Sequence, residues 1–221
     1  MDKLSRKIEV PLAKKIIKDA GLYLVEKKDI DRLAKVAADA YKDYPLHTWF
    51  CDGKYDEKTS FLIMKISLKT MLKDAVIYAD SEEINGFAVW LPLNFTGTKT
   101  LPFILNGGLK LIFHCGFKII DRLQSYEKFA MDLKSRSTNN YDWYLYNLSI
   151  MTSSQGKGIA SKLLRPMLNF CDNEQMICYL ETNKETNVSI YNHYGFELFE
   201  KFEIPNSNVN HYGMIRKPIK K

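Results

Sequence analysis

Leu148-Ser149-Ile150-Met151-Thr152-Ser153-Ser154-Gln155-Gly156-Lys157-Gly158-Ile159-Ala160-Ser161-Lys162-Leu163-Leu164 passes from an apolar run through a polar turn into a helical pattern. The pattern predicts a strand end, a loop and an amphipathic helix. Glycines on both sides of Lys157 remove the Cβ atoms that would hold an anion off the backbone, so successive N–H groups can face one ligand. The first N–H groups of the helix lack internal partners, and its dipole adds partial positive charge there. The stretch has the chemistry of a phosphate cradle.

Two nucleotide-binding motifs can be weighed against it. A P-loop needs Lys and Ser or Thr directly after its last glycine, and here Ile159 and Ala160 follow Gly158. A dinucleotide fingerprint fits better, with Gly156, Gly158, Ser161 in the third place and Glu181 roughly 20 residues on. Against it, too little chain follows Glu181 for the further strand-helix units that such a domain requires.

The 221 residues, 46% hydrophobic and 26% charged, suffice for one sizeable core. No apolar run approaches the ~20 residues of a membrane span, and Met1 to Lys18 lacks the pattern of a secretory signal. A cytoplasmic protein without a membrane partner is expected. The net charge of +6 is spread along the chain and suits an anionic cofactor; no basic block points to nucleic acid. Cys51, Cys115, Cys171 and Cys178 show no metal-ligand spacing, so buried thiols and no metal are expected.

Periodicity places a helix at Pro11 to Ala20, a short strand at Leu22 to Val25 and a helix capped by Asp29. Asp43-Tyr44-Pro45-Leu46 should end that helix, with Trp49 and Phe50 opening a loop. A helix follows from Asp56 to Lys73. The runs Ala75 to Ala79 and Phe87 to Leu91, with Asn85-Gly86 between them, predict an antiparallel hairpin. An inserted helical segment is expected at about 93–136, its long helix at Lys118 to Ser135. Tyr141 to Ile150 should be a central strand, Gln155 to about Cys171 a helix, and Met176 to Glu181 a parallel strand. Asn187 to Tyr194 reads as a short helix before a closing hairpin. The fold class is α/β (α+β), one domain at 22–221 after an N-terminal helical extension at 1–21.

The pattern formed by Gln155, Gly158 and Ala160, together with Asn187 and Tyr191-Asn192-His193-Tyr194-Gly195-Phe196 downstream, resembles the GNAT superfamily of acetyl-CoA-dependent N-acyltransferases. The resemblance covers roughly 22 to 217. Asp43-Tyr44-Pro45-Leu46, Ala88-Val89-Trp90-Leu91-Pro92, Trp143-Tyr144-Leu145 and Tyr179-Leu180-Glu181-Thr182-Asn183 are similar to the branch that includes puromycin N-acetyltransferase.

The resemblance implies a mixed sheet of about seven strands in which the two central parallel strands splay apart to admit acetyl-CoA, the acyl donor. It implies that the backbone of Leu148, Ser149 and Ile150 meets the pantetheine arm. The N–H groups of Gln155, Gly156, Lys157, Gly158, Ile159 and Ala160 would take the pyrophosphate. Asn187 would contact the cofactor, and Tyr191 would stand beside its sulfur as general acid. The position where some relatives carry a catalytic glutamate aligns near Tyr144, so Glu181 is the candidate base, with Asp142 and His193 behind it. The expected acceptor is a primary amine of a small molecule, hydrophobic or aromatic because aromatics crowd 43–50 and 95–117. A protein amine and a non-enzymatic acyl-CoA-binding module are the alternatives. The chain would be a monomer or homodimer. His47, His114 and His211 read as surface or hydrogen-bonded histidines.

Overall fold

A computed structural model describes residues 9–93, 95, 103–137 and 141–219. The basic N-terminal residues 1–8 and part of the expected insertion, 94 and 96–102, lie outside them. Along the chain run α1 (Glu9–Asp19), β1 (Tyr23–Leu24), α2 (Ile30–Ala40), α3 (Pro45–Phe50), α4 (Glu57–Met71), β2 (Val76–Ala79) and β3 (Gly86–Pro92). Then follow a π-helical turn (Ile104–Gly108), α5 (Leu109–Cys115), α6 (Phe117–Ser137), β4 (Trp143–Ile150), α7 (Ile159–Asn173), β5 (Cys178–Thr182), α8 (Glu185–His193), β6 (Glu197–Ile204) and β7 (Val209–Arg216). The seven strands make one sheet in the order β1-β2-β3-β4-β5-β7-β6, with β4 and β5 parallel. The expected mixed α/β sheet with flanking helices is present.

The side-chain alternation of β3 explains why both faces of the sheet are covered. Phe87, Val89 and Leu91 point to one face, where they meet α2 and α4 through Leu33 and Leu68. Ala88 and Trp90 point to the other, against Ala13 and Ile17 of α1 and Leu163 and Met167 of α7. Buried polar groups on that face pair internally: Trp90 Nε1 donates to the Tyr78 hydroxyl (3.0 Å), which donates to the Leu163 carbonyl (2.7 Å). A third cluster joins Leu46 and Phe50 of α3 to Ile63 and Ile66 of α4, Leu111 of α5 and Ile119 of α6. It seats the inserted helices over one end of the sheet.

Three local expectations need correction. Pro45 begins α3 instead of preceding a loop, because a proline at the first helical position gives up an N–H that has no partner there anyway. Asp29 does not cap α2 with its side chain; its carboxylate accepts from the Glu26 N–H (2.9 Å) and the Tyr23 hydroxyl (3.0 Å). The β2-β3 hairpin is antiparallel as expected, yet its turn is closed by Asp80, whose Oδ1 accepts both the Asn85 and Gly86 N–H groups (2.9 Å each). The cysteines are unbridged. Cys171 and Cys178 are buried, while Cys51 and Cys115 are partly exposed.

Candidate active site

β4 and β5 pair over three positions only, Trp143 with Cys178, Tyr144 with Tyr179 and Leu145 with Leu180. Beyond these, β4 follows β3 as far as Ile150, while Glu181 and Thr182 stay with Gly213 and Tyr212 of β7. The strands part where the register shifts: Val89 and Trp90 of β3 face Asn147 and Leu145, which leaves Tyr146 as an extra residue in β4. Such a bulge bends its strand and increases local twist. From Tyr146 to Ile150, the edge of β4 turned away from β3 has no strand partner among the described residues. Backbone groups on such an edge must find water or a ligand.

The loop at the top of this gap is anchored at several points. Met151 N–H donates to the Asn85 carbonyl (2.8 Å), Thr152 N–H to the Asp39 carboxylate (2.6 Å), and Gln155 Nε2 to the Ile150 carbonyl (3.3 Å). Gly156 and Gly158 have φ of 75° and 78°, in the left-handed region. That geometry corrects the expected helix start at Gln155, because right-handed helix cannot pass through either residue; α7 begins at Ile159. Gly158 is its N-cap and brings no side chain to the free N–H groups. A Cβ built on either glycine meets nothing within 4 Å, so the space in front of this backbone is open. The residues present fit an anionic ligand such as a pyrophosphate. Lys157 is exposed, and Ser161 ties the helix to α8 through the Tyr194 hydroxyl (2.8 Å).

Across the gap, Thr182 Oγ1 at the end of β5 accepts from Asn187 Nδ2 (3.1 Å) and bonds the Tyr44 hydroxyl (3.0 Å). Tyr191, one helical turn after Asn187 on the same side of α8, is buried edge-on against Phe196 (6.0 Å between ring centres). Burial pushes its phenol above the ordinary value, and nearby Tyr44 adds to the shift.

A cavity of about 610 Å³ lies on the α2-α4-α6 side of the sheet. Its wall combines Tyr41, Tyr44, Tyr126 and Tyr144 with aliphatic side chains and two carboxylates, Glu127 and Glu181. The Tyr144 hydroxyl donates to Glu181 Oε2 (3.0 Å). Burial, and then the Glu181 charge, keep the Tyr144 phenol well above its usual range, so it remains a donor at neutral pH. Glu181 is therefore brought to the cavity at the foot of the gap. Asp142 and His193 do not line it: Asp142 accepts from the Ile177 N–H (2.9 Å), and His193 is exposed at the end of α8.

His47 is helical and buried, where the sequence suggested a loop. It bonds the Ser60 hydroxyl and stacks on Tyr41 at 4.1 Å. His47, Asn147 and Glu127 form part of the cavity wall without having been candidates; a mixed aromatic and polar wall built from distant segments leaves no motif to read.

Residues 131–217 match the family model described as an acetyltransferase (GNAT) domain. Over 215 residues, covering 88% of this chain and 82% of the other, the sequence is 27% identical to an uncharacterized N-acetyltransferase of Schizosaccharomyces pombe. Among solved structures, a histone acetyltransferase HPA2 and related acetyltransferase from Corynebacterium glutamicum aligns with TM-score 0.62 and 18% identity over 90% of this chain and 97% of that one. Arylalkylamine N-acetyltransferase 2 from Aedes aegypti aligns with TM-score 0.55 and 17% identity over 89% and 97%. These likenesses are of fold.

Burial lowers the His47 pKa to about 3 from 6.5. The folded state thus favours neutral imidazole, a contribution complete above about pH 6.5 and lost as pH falls toward 3, at up to about 1.4 kcal/mol per pH unit. Urea unfolding of wild type and His47→Phe between pH 7 and pH 4 checks this: the variant should show a flatter loss of stability with acid, and parallel curves would contradict it.

Proposed function

Given that the chain carries a GNAT acetyltransferase domain and is an acetyltransferase, we propose that it moves an acetyl group from acetyl-CoA directly to the primary amine of a small, largely apolar molecule. The observation that carries this reading is the meeting of the β4-β5 gap with an aromatic cavity containing Glu181. The cavity volume lies within the range of small-molecule sites, and its wall, aromatic and aliphatic with a few polar groups, suits a compact amine. Placement in the puromycin N-acetyltransferase-like branch rests on the four local sequence stretches alone.

In this reading the edge of β4 turned away from β3 at Leu148, Ser149 and Ile150 bonds the pantetheine arm. The N–H groups from Gln155 to Ala160, freed by Gly156 and Gly158, hold the pyrophosphate. Asn187 keeps the β5 end in place beside the cofactor through its bond to Thr182.

An alkyl ammonium, with a pKa near ~10, must lose a proton before attack. Glu181, oriented by Tyr144, takes that proton directly or through water. The amine nitrogen then bonds the acetyl carbon, and a β4 N–H stabilises the oxyanion. As the C–S bond breaks, the thiolate receives the Tyr191 proton. Burial keeps the Tyr191 phenol protonated at neutral pH, so the proton is there to give. The nitrogen, cationic after attack, gives its second proton through water to the Tyr191 phenolate, and exchange with solvent removes the first from Glu181, so the products are the amide, free CoA and one released proton. No covalent enzyme intermediate is needed.

A thiol-release assay with acetyl-CoA and a panel of amines tests the acceptor class. Aryl-alkyl and long-chain alkyl amines should be turned over, whereas turnover confined to lysine peptides or polyamines would contradict the reading. For the acid, Tyr191→Phe removes a proton donor and little contact area. Its kcat should fall about 100-fold with CoA affinity nearly intact, and a wild-type kcat would remove Tyr191 from the mechanism.

A further inference from the structure

Two tyrosines in one turn of chain reach opposite walls of the gap. Tyr41 ends α2, its N–H bonded to the Ala37 carbonyl (2.9 Å), and Tyr44 follows in a tight turn, its N–H bonded to the Tyr41 carbonyl (3.0 Å). The Tyr41 hydroxyl accepts from Asn147 Nδ2 on β4, just past the bulge. The Tyr44 hydroxyl accepts from the Asn183 N–H (2.8 Å) and bonds Thr182 Oγ1 (3.0 Å) at the end of β5. One hydroxyl thus holds β4, and the other holds β5, at the level where the two strands have ceased to hold each other.

Both tyrosines are braced from behind. Their ring centres lie 5.1 Å apart, and His47 stacks on Tyr41 while meeting Tyr44 edge-on. His47 is fixed by Ser60 of α4, and Pro45 sets the backbone where α3 begins. Hydroxyls on rings packed in this way cannot follow a strand that moves without disturbing the α2-α3 turn. Asn147 supplies a second sign that the cavity is built for a ligand. Its side chain is 3% exposed, lines the cavity, and keeps Oδ1 without a hydrogen-bond partner among the described residues.

We propose that Tyr41 and Tyr44 form a bracket that sets the width of the β4-β5 opening and so positions the pantetheine arm. They act as positioning residues, through Asn147, Thr182 and Asn183, without touching the reacting atoms. This inference rests on the reading of the gap as the acetyl-CoA site. If it holds, losing either hydroxyl lets one wall relax and costs affinity for the part of the cofactor inside the gap. Affinity for the part outside, on the glycine loop, stays as it was. Because the bracket works only when both arms hold, the second loss adds little to the first.

The test uses Tyr41→Phe, Tyr44→Phe and the double variant, which keep the rings and remove the hydroxyls. Calorimetric titration is run with CoA and with 3′-phosphoadenosine 5′-diphosphate, which carries the pyrophosphate and lacks the pantetheine arm. Each single variant should bind CoA about tenfold more weakly, the double variant little more weakly than either, and all should bind the fragment within about twofold of wild type. Unchanged CoA affinity would overturn the bracket, as would an equal loss for CoA and fragment, which marks a general structural defect. Wild-type chain that binds neither ligand would overturn the bracket together with the cofactor reading beneath it.

Discussion

Among the described residues the backbone of β4 from Tyr146 to Ile150 has a strand neighbour on one side only, and the site follows from that asymmetry. In a strand covered on both faces of the sheet, leaving an edge unpaired costs free energy unless another partner supplies the hydrogen bonds. Here one extra residue, Tyr146, turns β4 off the line of β5, and β5 is held back by β7. The sheet stays whole at Trp143, Tyr144 and Leu145, which anchor the V at its closed end. The open end receives the loop with its two left-handed glycines, and its foot meets the aromatic cavity. One departure from regular pairing thus brings an anion cradle, a free backbone edge and a carboxylate together.

The electrostatics of the cavity follow from burial. Tyr41, Tyr44, Tyr126 and Tyr144 are all pushed above the ordinary phenol range, chiefly by desolvation, and His47 is pushed down by the same cause. At neutral pH the wall is therefore made of neutral donors and rings around two carboxylates. An amine entering such a space meets the carboxyl groups of Glu127 and Glu181, and the Tyr144 hydroxyl holds Glu181 beside the gap. No Lys or Arg lines the cavity among the described residues, so the wall offers those carboxyl groups no countercharge.

Much of the frame was legible in the sequence. The succession of strands and helices along the chain, the antiparallel β2-β3 hairpin and the long helix within the insertion come from period and turn chemistry, because long amphipathic segments carry strong patterns. The glycine loop is legible because glycine adopts left-handed backbone at least cost; periodicity starts its helix too early because it does not show that both glycines leave the right-handed region. Pro45 reads in the sequence as a stop and begins α3 in the fold, since proline's restriction acts on both sides of a boundary. The cavity wall was the least legible part. Tyr41, Asn147 and Glu127 come from separate elements, and only the fold brings them to one space.

The central claim, that the β4-β5 opening and the glycine loop are one acetyl-CoA site, is tested most directly by amide hydrogen exchange with and without CoA. The account predicts slower exchange in two segments, Tyr146 to Ile150 of β4 and Gln155 to Ala160 before and into α7, with the paired residues Trp143 to Leu145 little changed. Protection by CoA confined to other segments, or none in the presence of saturating CoA, would contradict it.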